Sequence, residues 1–153
     1  MSADNIAKLE KKINYKFKNK ELLKNALTHK TFAFEADTPL EFNERLEFLG
    51  DSILGFLVAE QLYKSNRYFS EGELTRRRST LVKNSFLAKR AKELELGNYI
   101  FFGRGEKKQN GDKNPTNNAN ALEALIGAIY LDSDLKTVKK FIFDNVFEEI
   151  IKF

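Results

Sequence analysis

NERLEFLGDSILGFLVAEQL, residues 43–62, decides how this chain is read. Leu46, Phe48, Leu49, Ile53, Leu54, Phe56, Leu57 and Val58 wrap a helix on nearly all sides, yet the same stretch carries Glu44, Glu47 and Asp51. Spacings of three and four put the three carboxylates on one helical face. The apolar girth makes this a central helix, one face against the domain's own core and another free to meet a second subunit. A carboxylate in apolar surroundings is costly unless it is paired, protonated or bound to a metal. One of these must hold for the acid row.

A second apolar run, ALEALIGAIYL at 121–131, carries Glu123, with Asn120 one turn earlier on the same face. Two readings stand for this pair. Asn120 and Glu123 fit an Asn-x-x-Glu capping box, or they are the other half of a site shared with the first helix. Oxygen ligands from Glu, Asp and Asn suit a hard cation, Mg²⁺ or Mn²⁺ in its place. The chain has no cysteine, which removes disulfides and thiolate zinc sites from consideration. A divalent ion set among basic flanks is what phosphodiester hydrolysis needs.

The flanks have that character. The net charge is only +4, but residues 41–60 carry five acids against Arg45, and residues 71–113 carry eleven Lys and Arg against six acids. Such a surface can grip a polyanion at its edges and present metal to it in the middle. With 153 residues, 42% of them hydrophobic and 14 of them Phe, the expectation is a single domain over 1–153 with a real core. The start, MSADNIAKLEKK, lacks the apolar segment of a signal peptide, and no apolar run is long enough to span a membrane. These features predict a cytoplasmic protein without membrane attachment.

Helix signals dominate, so the fold class expected is all-α. Helices are predicted over 4–13 and 19–29, the second capped by Asn19. TPLE at 38–41 combines a Thr cap, Pro at the first position and Glu at the third, which predicts a long helix over 39–64. SEGE at 70–73 repeats the capping pattern and opens LTRRRSTLVK. A further helix is predicted over 84–95, ending at Gly97, followed by the loop GRGEKKQNGDKNPTNN at 103–118. The buried helix beginning at 121 and an amphipathic closing helix, DLKTVKKFIFDNVFEEIIKF at 134–153, complete the chain.

NERLEFLGDSIL resembles the signature of the ribonuclease III family, the endonucleases of double-stranded RNA, in their simple bacterial form. The resemblance extends in the family's order to ALTHKTF at 26–32, EGELTRRRSTLVKN at 71–84 and ALEALIGAIYLDS at 121–133. It implies a helical nuclease domain acting as a homodimer, with two active sites along one RNA-binding valley, each cutting one strand with Mg²⁺-activated water. The products implied are duplexes with 5′-phosphate, 3′-hydroxyl and short 3′ overhangs, as in RNA processing. Matched by motif, Glu47, Asp51 and Glu123 would hold the metal, while Glu44 and Glu71 would support the scissile strand. For Glu71, a favourable charge at a helix N-terminus is the alternative.

Two departures stand out. The family usually has Asp at the position of Asn120, which keeps one ligating oxygen in the catalytic and metal-binding set but loses the charge. Either the Asn was introduced to stall cleavage or it is natural; the neighbouring NPTNNANA is already Asn-rich. The alternative function it raises is a dimer that binds double-stranded RNA with cleavage weakened or abolished; a helical dimerisation protein without RNA is a third reading. Family enzymes also usually continue into a double-stranded-RNA-binding domain, which this chain, ending at Phe153, is expected to lack. RNA grip would then come from the nuclease domain and be strongly salt-dependent.

For that grip the candidates are Arg76, Arg77 and Arg78, of which consecutive helical positions let at most two face RNA, and the loop residues Arg104, Lys107 and Lys108, with Lys113 a weaker one. Each is also an ordinary solvated cation on the bland reading. The lone histidine, His29, is expected to make a structural hydrogen bond rather than serve a catalytic triad.

Overall fold

The structure, a computed structural model, describes residues 3–147. It is helical, as the sequence predicts: α1 (Ala3–Lys12), α2 (Lys20–Leu27), α3 (Lys30–Phe34), α4 (Glu44–Ser65), α5 (Glu71–Leu81), α6 (Asn84–Glu93), α7 (Arg104–Lys108), α8 (Pro115–Asp132) and α9 (Leu135–Asn145). Short 3₁₀ turns cover Leu96–Tyr99 and Gly111–Lys113. Among the described residues the only β pairing is an isolated bridge between Thr28 and Phe101.

At the centre lies α8, whose Ala119, Ala121, Leu122, Ala124, Leu125, Ile126, Ala128 and Ile129 are fully buried. Each large side chain so buried contributes about 1.5–3 kcal/mol. Around it pack α2, α4, α6 and α9. The closest approach is to α4 and it is made by glycines. A Cβ on Gly50 would overlap the carbonyl oxygen of Glu123, and one on Gly127 would overlap that of Leu46. With no side chain at either position the two backbones touch, and residues beside the contact are forced into each other's company.

Several expected boundaries shift. The long helix begins at Glu44, not at 39, and Thr38, Pro39 and Glu41 stay outside it as exposed chain. Asn43 explains this: it is buried, its N–H donates to the Thr28 carbonyl at 2.9 Å, and its own carbonyl accepts the first helical bond from Glu47 N–H at 2.8 Å. That long-range tether outweighs the local Pro and Thr signals. In α8 the start moves the other way, to Pro115, because Asn114 caps it by accepting from Thr116 N–H at 2.9 Å and Asn117 N–H at 3.3 Å. Asn120 therefore lies inside a helix, and the capping-box reading of Asn120 and Glu123 falls. The loop at 103–118 is partly helical, holding α7 and a 3₁₀ turn, and α3 is a helix the sequence signals did not mark. The caps at Asn19 and Ser70 form as predicted. The last part of the predicted closing helix, 148–153, lies outside the described residues.

Candidate active site

Because Gly50 sits between Glu47 and Asp51 in LEFLGD and presses on Glu123, the contact of α4 with α8 gathers the acids from both helices. Glu47 and Glu123 are half-buried, with Glu44 and Asp51 exposed beside them. Their charges act on one another. Burial, followed by the neighbouring Asp51 and Glu47 carboxylates and a hydrogen bond with Asp51, pushes the Glu123 carboxyl up to about 8. Burial and the Glu44 and Asp51 charges raise Glu47 as well, against the opposing pull of Lys30. Like charges crowded at a half-dry surface hold a proton back.

Lys30 is the one member of the site that the sequence did not single out. Its Nζ lies 3.1 Å from a Glu44 carboxylate oxygen, and its charge reaches Glu47. The available signal was its place in the ALTHKTF motif, one residue after the histidine.

The donor set of three carboxylates and a half-buried amide, Asn120, on the turn of α8 before Glu123, is chemically suited to a hard dication and not to a soft one. Burial is the main cause of the raised Glu123 carboxyl and the Asp51 and Glu47 charges add to it, and a bound cation would offset both. Among the described residues, however, no three or more His, Cys, Asp or Glu stand in ready ligating geometry. The acids share a region without forming a closed cage.

Glu71 is not drawn into this group. It stands in the first turn of α5, its carboxylate accepting from Thr75 Oγ1 at 2.8 Å, and it is not among the charges that shift Glu47 or Glu123. The arginines divide as the helical geometry requires. Arg77 is held by Glu73 at 2.8 Å and lies 4.1 Å over the Phe69 ring, while Arg76 and Arg78 are exposed and in no ion pair among the described residues. Arg104 reaches back to Glu35 at 3.5 Å; Lys107, Lys108 and Lys113 are exposed.

His29 is structural, as expected. It caps α3, its Nδ1 accepting from Thr31 N–H at 3.3 Å and lying 2.8 Å from Thr31 Oγ1, which in turn accepts from Gly103 N–H at 3.0 Å. Burial is the main cause that lowers its pKa. Through the Thr31 hydroxyl it ties the loop after Phe102 to the start of α3.

Comparison with known proteins identifies the family. A family profile described as Ribonuclease-III-like matches residues 19–150. Ribonuclease 3 of Buchnera aphidicola from Acyrthosiphon pisum is 47% identical over 135 residues, covering 88% of this chain and 57% of that protein. Ribonuclease 3 of Caldanaerobacter subterraneus is 45% identical over 143 residues, 94% of this chain and 62% of that protein. The chain thus spans about three fifths of the length of these curated relatives. A nuclease-domain structure of ribonuclease III from Campylobacter jejuni, in which a region involved in dimer formation shows structural flexibility, superposes with a TM-score of 0.88. It is 38% identical and covers 95% of this chain and 98% of its own. No described helix is long and apolar enough to cross a membrane. From the acid-bearing α4 and α8 outward, and over nearly its whole described length, this chain belongs to the ribonuclease III family.

Proposed function

We propose that this chain is a single nuclease domain, over 1–153, that cleaves double-stranded RNA with a divalent cation, Mg²⁺ or Mn²⁺, in cytoplasmic RNA processing. The observation that carries the reading is the meeting of Glu123 with Asp51 and Glu47, three acids from two helices, where burial first and then the two neighbouring carboxylates push Glu123 up to about 8. Glu47, Asp51 and Glu123 would hold the cation, with the Asn120 amide oxygen as a neutral fourth donor. When bound, the ion supplies activation of water and neutralisation of charge at the phosphate. The chain's own groups do the rest. Lys30 holds Glu44 in place beside Glu47, and Arg76, Arg78, Arg104, Lys107 and Lys108 supply phosphate contacts, Arg77 being engaged within the fold. Glu71, apart from this acid group, would support the strand only from a separate position. Products with 5′-phosphate, 3′-hydroxyl and short 3′ overhangs follow if two such sites face opposite strands.

Two sites require two copies, and the surface favours that. Phe48 is 78% exposed on α4 and, with Leu22, Leu46, Leu49 and Leu131, lines a groove of about 630 Å³ that Glu41, Glu44 and Arg45 also edge. An exposed aromatic in a mainly apolar groove with a charged edge suits a self-complementary, two-fold contact.

The test is incubation of the chain with a labelled RNA duplex in Mg²⁺ and in Mn²⁺; metal-dependent cutting to 5′-phosphorylated products is expected, and no cutting with either ion overturns the reading. A second reading, a double-stranded-RNA-binding dimer with weakened cleavage, is favoured by the place of Asn120 inside α8, one turn before Glu123, where an Asp would add charge to the site. An Asn120→Asp variant that cuts duplex untouched by the parent chain selects that reading.

A further inference from the structure

On the side of α8 away from Glu123, a cleft of about 860 Å³ opens between α6, the Leu96–Tyr99 turn and the start of α8. Residues 118 and 120 are about 200° apart around a helix with 3.6 residues per turn, and 118 and 123 about 140°. The cleft is therefore not a branch of the acid site.

Its floor is small and fixed. Ala88, Gly97 and Asn118 are buried there. Asn118 Nδ2 donates to the carbonyls of Asp112 at 2.7 Å and Asn114 at 3.0 Å, and a Cβ on Gly97 would strike that same Asp112 carbonyl. The bottom is thus braced by two hydrogen bonds and a backbone contact rather than by mobile side chains.

The rim is cationic. Ser85, Lys89 and Lys92 follow one another at four and three residues on a single face of α6, and Lys113 faces them from the other wall. Lys92 and Lys113 form no ion pair among the described residues, and Lys89 has only Glu93, at 4.0 Å. Of the two acids in the lining, Glu95 is already neutralised by Lys12 of α1, which leaves Asp112 alone against three ammonium groups. The first free amides of α8 are taken by Asn114, so anion recognition falls to the lysines.

We propose that this cleft is a second binding site, for a phosphorylated ligand of nucleotide size. Its volume is that of a small-molecule site. The lysines would take the phosphates, and the surface of Ala88, Gly97 and Pro115 would take the less polar remainder. A free nucleoside polyphosphate and the phosphorylated end of an RNA strand carry the same chemistry. The site is independent of the nuclease reading, since binding needs neither cleavage nor metal.

The experiment is a titration of the isotope-labelled chain with ATP, and separately with a 5′-phosphorylated RNA trinucleotide, in metal-free buffer, followed by amide chemical shifts. Saturable shifts centred on Ser85, Lys89, Lys92, Gly97 and Asn98 are expected, with affinity at least tenfold lower in a K89E/K92E variant of unchanged Tm. Tighter binding of ATP assigns the site to free nucleotides, and tighter binding of the trinucleotide to strand ends; both support it. Should the variant fold poorly, single K89Q and K92Q variants are each expected to weaken binding severalfold. Shifts scattered over the surface lysines, affinity indifferent to the substitutions, or no binding of either probe overturns the proposal.

Discussion

Gly50 and Glu123 are in backbone contact: the carbonyl oxygen of Glu123 occupies the space a Cβ at position 50 would need. Carboxylates flanking the glycine on α4 and the carboxylate of Glu123 on α8 meet because nothing separates the two chains there. The geometry of the acid group rests on a missing methyl.

Gly50→Ala is accordingly expected to cost about 1–3 kcal/mol or more, since the clash is with backbone that cannot rotate away. Gly55, one turn and a half further along α4, has nothing within 4 Å of its would-be Cβ. There the same substitution is expected to gain up to about 1 kcal/mol from helix propensity. Thermal or urea unfolding of the two variants side by side checks both signs; equal effects would remove the special status of Gly50.

Glu123→Gln should separate stability from function. The folded-state carboxyl of Glu123 is raised from 4.5 to about 8, so the folded protein retains a proton that the unfolded chain has lost. Its contribution to stability is full below 4.5 and is lost as pH rises through about 8. In metal-free buffer the variant is expected to match the parent near pH 4.5 and to exceed it by a few degrees in Tm at pH 8.5. It should also lose any stabilisation by Mg²⁺, and at least 10²-fold in duplex cleavage. A Tm difference that does not vary with pH would contradict the argument.

Phe48→Glu tests the self-association surface. With 78% of Phe48 exposed in the single chain, its replacement should leave Tm of the monomer unit nearly unchanged while abolishing dimers in light scattering at micromolar concentration. A parent chain that is itself monomeric under those conditions would sink the dimer.

Asp132, at the end of α8, is a clamp on the segment between α1 and α2. Its carboxylate accepts from Tyr15 Oη at 2.7 Å and from the N–H groups of Lys18 and Asn19 at 2.8 Å each. Burial pulls its pKa upward, but these donors prevail and hold it below 3.8. A depressed carboxyl stabilises above its unfolded pKa and loses that contribution as pH falls through the folded value. Asp132→Asn is therefore expected to destabilise by about 1–2 kcal/mol at pH 7, a magnitude set by hydrogen bonds to a charged acceptor. The gap should narrow below pH 3.8. Unfolding curves at pH 7 and pH 3 measure it.

Arg76 and Arg77, neighbours in sequence, should fail differently. Arg77→Ala removes the contacts with Glu73 and Phe69 and is expected to lower stability by about 0.5–1 kcal/mol. Arg76→Ala should leave Tm alone, weaken duplex binding and flatten its dependence on salt by roughly one phosphate contact. Binding measured between 50 and 200 mM salt distinguishes them.

What the sequence determined by itself was whatever depends on near neighbours along the chain. The three and four spacing of Glu44, Glu47 and Asp51, the caps at Asn19 and Ser70, and the apolar girth of the two central helices are local patterns, and helices express local patterns directly. The all-helical fold followed from these, and the family from the motifs. What only the tertiary structure decided involves residues far apart. The Asn43 bond to Thr28 moved the start of α4 past a good proline signal, and Asn114 took the cap that Asn120 had equal claim to. Lys30 found Glu44, Arg77 was drawn into the fold, and Glu71 stayed apart from the acids. Above all, the meeting of Glu123 with Asp51 depends on the close backbone contact at Gly50 and Gly127, to which no local pattern pointed. Helical periodicity carries which face a residue is on; only packing carries which other face it meets.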